Sequence, residues 1–204
     1  MATYTFADLH IPDVAHLADL NGILDDLRDA DEFANMLGEI LADQNQNRQF
    51  IHPLSIAILI SYSRPFLGGV RSWKVNEYLD TLTFEQRTEH DFLIDYRNKH
   101  IAHSVNGLEK NLARANYCKE RVHEEGITSI SCSSSKVVGL SRADINTVIE
   151  LSRLHCQKIR LEFQTEATRL LPIVRGMPIE QVLAGGQKAH TINVKASIAK
   201  SRKR

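Results

Sequence analysis

No stretch of this 204-residue chain stays apolar long enough to cross a bilayer. The longest run, residues 56–60, is bounded by Ser55 and Ser61, with Ser63 and Arg64 close behind. The start of the chain lacks a basic segment followed by an apolar one, so no secretory leader is expected and the expected compartment is the cytoplasm. Cysteine is scarce. Cys118, Cys132 and Cys156 are odd in number, widely spaced and form no CxxC pair, which points to reduced thiols rather than a disulfide framework. There is no P-loop and no glycine fingerprint for a dinucleotide, and no cofactor is expected.

Charge of one sign is missing at each end. Residues 1–46 hold ten Asp/Glu and a single Lys/Arg, Arg28, whereas the remainder holds 24 basic and 15 acidic residues. After Glu180 no acid follows, and Lys195, Lys200, Arg202, Lys203 and Arg204 make the end basic. A net charge of zero therefore hides an asymmetry that suits nucleic-acid attraction by the body and tail. The plain alternative is a solvated acidic helix face and a disordered tail.

What is present reads as helix. At 43% hydrophobic, the chain can bury one good core. Residues 13–43 repeat apolar side chains at three- and four-residue steps (Val14, Leu17, Leu20, Leu24, Leu27, then Phe33, Met36, Leu37, Ile40, Leu41), with Asp13 as the expected N-cap and a break expected near residues 28–31. Residues 52–64 are apolar nearly all round and read as a central helix, with a buried strand as the competing assignment. Thr83 and Gln86 form a capping box that opens a third helix. A small β-hairpin is expected at about 113–139, with a turn at 123–126. Ser141 and Asp144 then start a long helix that Pro172 should stop near Leu171. The expected fold class is all-α: a helical bundle over 1–175, with the hairpin inserted before the last long helix and a loose basic tail at 176–204.

The third helix ends in Tyr96-Arg97-Asn98-Lys99-His100-Ile101-Ala102-His103-Ser104. Arginine offers a planar, permanent charge suited to phosphate oxygens. Histidine both takes and gives a proton near neutral pH. Together they suffice to cleave a phosphodiester without a metal. On an α-helix Arg97, His100 and His103 step by three residues and share one arc, which Ser104 joins, beside Ile94 and Ile101 on an inward face. A zinc reading, from His100 and His103 with Asp95 or His90, lacks a matching Cys/His set elsewhere. A purely structural reading also stands, because cations near a helix C-terminus are favoured by its dipole.

This string, late in a helical bundle, resembles the HEPN superfamily, whose members carry an Arg, a polar residue and, after a short gap, a His. Arg97, Asn98 and His103 match that order. The acid-rich start, the hairpin and the wording of the string look most like the abortive-infection U-type branch. The resemblance implies a helical bundle of HEPN type and metal-independent endoribonuclease activity in a defence or toxin–antitoxin setting. It also implies a homodimer with two motifs facing one cleft, and an antitoxin protein as a possible partner. Carried over, Arg97 and His103 would be catalytic, Asn98 would orient the site, and His100 would assist or replace His103. Lys99, Ser104, Tyr96 and Arg64 are expected RNA contacts, and no metal is expected. The alternative is a non-catalytic HEPN-like module that binds RNA, a nucleotide or a protein. One departure is visible: where some HEPN toxins have a modifiable Tyr two residues after the motif His, this chain has Val105.

Overall fold

Helix α1 (Ala15–Ala42) buries Leu20, Ile23, Leu24, Leu27, Ala30, Ala34 and Leu37 along one stripe. The computed structural model describes residues 7–9, 11–43, 48–67, 75–102, 109–136 and 139–184. The break expected at 28–31 does not occur. The stripe runs straight through it, and Asp31 is held from outside by Arg153 at 3.1 Å. Asp13 is not the cap either. It lies in a short 3-10 turn (Pro12–Val14), and Val14 takes the N-cap position without a side-chain bond.

Helix α2 (Ile51–Ser63) is central, touching α1, the fourth and sixth helices and the segment that carries the motif. It is a helix and not a strand. Pro53 sits in the first turn, where a missing N–H costs nothing. Ser55 and Ser63 donate their hydroxyls to the carbonyls four residues back, of Ile51 (2.7 Å) and Leu59 (2.6 Å). A short helix α3 (Val75–Leu79) follows, then α4 (Phe84–Tyr96), opened by the expected capping box. Gln86 N–H donates to Thr83 Oγ1 at 3.2 Å and Thr83 N–H to Gln86 Oε1 at 3.1 Å.

Strands β1 (Glu109–Asn116) and β2 (Ser129–Lys136) form one antiparallel pair, with Glu109 opposite Lys136 and Asn116 opposite Ser129. The connection between them holds a single helical turn, α5 (Val122–Glu125), and Gly126 at φ +67°, a left-handed turn that glycine adopts without strain.

Helix α6 (Arg142–Arg175) starts at the second expected box: Asp144 N–H to Ser141 Oγ at 3.2 Å, Ser141 N–H to Asp144 Oδ2 at 2.8 Å. It runs antiparallel to α1, pairing Glu162 with His16 at one end and Arg142 with the Gly38 carbonyl at the other. Pro172 does not stop it. The helix continues to Arg175, because the N–H that proline lacks is lost only near the exposed end, and Gly176 N–H closes the last turn onto the Pro172 and Ile173 carbonyls. Ile179–Ala184 form a last short helix, α7, and the tail 185–204 lies outside the described residues.

The core gathers the inner stripe of α1, Ile58, Leu59 and Tyr62 of α2, Leu93 of α4, and Ile145, Val148, Leu151, Cys156 and Ile159 of α6. Gly139 lies against α2: a Cβ there would stand 2.5 Å from Ile51 Cγ2. The chain passes that point to reach Leu140, whose N–H donates to Ser55 Oγ at 3.0 Å.

Candidate functional site

Helix α4 turns one face inward. His90 and Leu93 on that face are buried, and Arg97, two turns after His90, continues it. Here the helix changes type. Residues Arg97–Ala102 form a π-helix, a rare form in proteins that concentrates at functional sites. This corrects the α-helical arc expected for the motif. Closing hydrogen bonds over five residues widens the turn, so a three-residue step falls further short of a full turn than in an α-helix. Backbone positions 97 and 100 are therefore spread more widely than α geometry allows.

Arg97 is half-buried, and its Nη1 donates to Asn98 Oδ1 at 3.0 Å. Its backbone N–H bonds to the Leu93 and Ile94 carbonyls, so α4 holds the residue from behind. Asn98, also half-buried, thus orients the guanidinium directly. Lys99 points to solvent and pairs with Asp95 at 2.5 Å. Tyr96 packs against the core and leans on Phe92, with ring centroids 5.8 Å apart. Burial pushes its phenol pKa up, and the Asp144 carboxylate adds to the rise. Arg64, the expected contact from α2, bonds through Nη1 to Asp26 Oδ1 at 2.6 Å, and that carboxylate is buried on α1. His103 and Ser104 lie outside the described residues, as do the side chains of His100 and Ile101.

The structure reveals a second group of polar residues behind the motif. Tyr62 of α2 sits between two buried histidines. Its hydroxyl is 2.9 Å from His90 Nδ1 on α4 and 3.2 Å from His155 Nε2 on α6. Tyr78 of α3 completes the chain, its hydroxyl 2.5 Å from His155 Nδ1. Phe66 closes the cluster with edge-on contact to His90 at 4.5 Å between centroids. Lys158 lies over the Tyr78 ring. Burial lowers the His90 pKa to about 4, Asp91 raising and Arg87 lowering it further. Burial, then His90 and Lys158, takes His155 to about 3. Both phenols are pushed up, chiefly by burial.

Both imidazoles are therefore neutral, each with one ring N–H and one acceptor nitrogen. Two proton orders satisfy the chain. Tyr78 donates to His155, His155 to Tyr62 and Tyr62 to His90, or each bond runs in reverse. The cluster ties α2, α3, α4 and α6 together and fixes the rotation of α4, and so the direction in which Arg97 leaves it. His90 is engaged with Tyr62 and Asp95 with Lys99, which counts against the zinc reading. The sequence carried a signal for this cluster. His155 falls four residues after Leu151 and four before Ile159, on the buried stripe of α6, and Tyr62 falls on the buried side of α2.

No protein-family model, curated protein or solved structure matches this chain.

Proposed function

We propose that the chain is a metal-independent endoribonuclease of the HEPN type, serving a defence or toxin–antitoxin system as a homodimer. The observation that carries this reading is the Arg97–Asn98 pair at the head of the π-turn. Among the described residues Arg97 is held by a neutral amide and not by a carboxylate, so its charge is kept for a ligand anion. The motif His103 follows in sequence.

The chemistry uses groups that this chain has. A ribose 2′-OH attacks the adjacent phosphorus while a neutral imidazole takes its proton. A protonated imidazole, from the second copy, gives a proton to the leaving 5′-oxygen. Arg97 stabilises the charge that grows on the phosphoryl oxygens. The need for a 2′-OH restricts cleavage to RNA. The test is cleavage of single-stranded RNA by the purified chain in EDTA. Cleavage is expected, and Arg97→Ala and His103→Ala should each abolish it without loss of folding. RNA binding without cleavage assigns the chain to the non-catalytic alternative.

A further inference from the structure

We propose that the face of the β1–β2 ribbon bearing Lys110 and Arg114 docks the sugar–phosphate backbone of single-stranded RNA. Among the described residues neither strand packs extensively against a helix, and residues 110–116 and 129–135 are exposed except for half-buried Ser133. The ribbon is an arm in solvent whose two faces differ. Direct partners in an antiparallel pair share a face. The register sets Lys110 opposite Ser135, Leu112 opposite Ser133, Arg114 opposite Ser131 and Asn116 opposite Ser129. This face therefore carries two cations, no acid, and a serine at every β2 position.

Neither the Lys110 nor the Arg114 side chain has an ion pair or hydrogen bond among the described residues, in contrast to Arg28, Arg87, Arg121, Arg153 and Arg169, each of which has a carboxylate. Four residues apart on a strand, they are separated by about 13 Å, too far to share one phosphate. Exposed Leu112 lies between them and offers a base an apolar surface. Serine hydroxyls both donate and accept, as a ribose 2′-OH does, which favours RNA over DNA. Asn116 is already ordered in this plane, donating to Ser129 Oγ at 3.0 Å and accepting from Ser131 at 3.2 Å. Two cations are too few for a membrane surface, where clusters of four to eight are the rule. The tip between the strands mixes Glu120, Glu124 and Glu125 with Lys119 and Arg121, so the attraction belongs to the face and not to the arm as a whole.

The choice of RNA rests on the nuclease reading above, but binding is measured apart from cleavage. Full-length Arg97→Ala chain is titrated with a fluorescent single-stranded RNA by anisotropy at several salt concentrations. Adding Lys110→Gln/Arg114→Gln should weaken binding roughly tenfold and make the slope of log affinity against log salt shallower by about 1.4, which is two lost contacts at about 0.7 each on a single strand. Lys110→Arg/Arg114→Lys should restore both, which shows that charge and not a collapsed hairpin is responsible. Ser131→Ala/Ser133→Ala should narrow the preference for RNA over DNA of the same sequence. Unchanged affinity and slope in the Gln pair would overturn the proposal, even in a chain that cleaves RNA. So would equal, ribbon-dependent binding to polyglutamate or to phosphatidylserine vesicles. Ribbon-dependent RNA binding by a chain that never cleaves would sustain it and reject only the nuclease reading.

Discussion

The Tyr62 hydroxyl stands 2.9 Å from His90 Nδ1, deep in the junction of α2, α4 and α6. With His155 on its other side, this one oxygen serves both buried imidazoles. Tyr62→Phe keeps the ring and removes the oxygen. It leaves a ring nitrogen of each histidine without its partner, at a cost of about 1–3 kcal/mol per group. Urea denaturation should show a loss of about 2–4 kcal/mol with an unchanged slope. A loss below about 0.5 kcal/mol would mean that the network contributes little to stability.

The same cluster sets a pH dependence. Both histidines have native pKa values, about 4 and about 3, below the ordinary 6.5. Between those limits the unfolded chain binds more protons than the native one, so stability rises with pH through the window. It is fully present above about pH 7 and is lost as the pH falls from about 6.5 toward 3, the native value of His155. Desolvation leads in both: at His90 it outweighs Asp91, which favours the cation, and Arg87 adds to it, while at His155 the neighbouring His90 and Lys158 act in the same direction as burial. Proton NMR should find two imidazoles still neutral at about pH 5. Two further histidines titrating normally in their place would contradict the buried assignment.

Arg64 was expected to meet RNA, and its Nη1 lies 2.6 Å from the buried Asp26 carboxylate. Arg64→Ala takes that partner from a carboxylate held away from water, at a cost of about 2 kcal/mol. The guanidinium is itself partly exposed, which keeps the loss below that of a fully buried pair. Asp26→Asn in the same chain should recover part of the loss. Thermal denaturation and RNA titration, run on the same variants, separate the two roles. Weaker RNA binding with unaltered stability would return Arg64 to the RNA surface.

Gly139 makes a packing prediction. An added methyl would press on Ile51 and Ser55, beside the hydrogen bond from Leu140 to Ser55. Gly139→Ala should destabilise the chain by about 1–3 kcal/mol, read from the denaturation midpoint. An unchanged midpoint would show that this loop can move away from α2.

Features fixed by near neighbours were legible in the sequence. Thr83 and Gln86, and Ser141 and Asp144, are three residues apart, and their reciprocal bonds form as the residue types dictate. Features fixed by distant partners were not. The polar run at 28–31 looked like a break because Arg153, which steadies Asp31, is 122 residues away. The role of His155 is hidden in the sequence because Tyr62 and Tyr78 lie 93 and 77 residues off. The motif itself was legible as a string. Its π-helical winding was not, because no residue type encodes that form as glycine or proline encodes a turn.

That winding supplies the most direct test of the site. A π-turn holds one residue more than the α-turn it replaces, so deleting one residue inside it lets the chain return to i→i−4 bonding. Lys99 is the residue to remove, because it is exposed and pairs with Asp95, which is exposed as well. Deleting Lys99 in the full chain should leave the helical circular dichroism and the denaturation midpoint nearly unchanged, since the core stripe of α4 ends before it. It should nevertheless rotate everything after Asn98 relative to Arg97. Misplacement of that size costs about a hundredfold in rate where catalytic groups must converge. Lys99→Ala, which keeps the chain length, should retain cleavage. Full RNA cleavage by the deletion variant would show that the relation of Arg97 to the residues beyond the turn is irrelevant to the chemistry, and the Arg–His mechanism would fall with it.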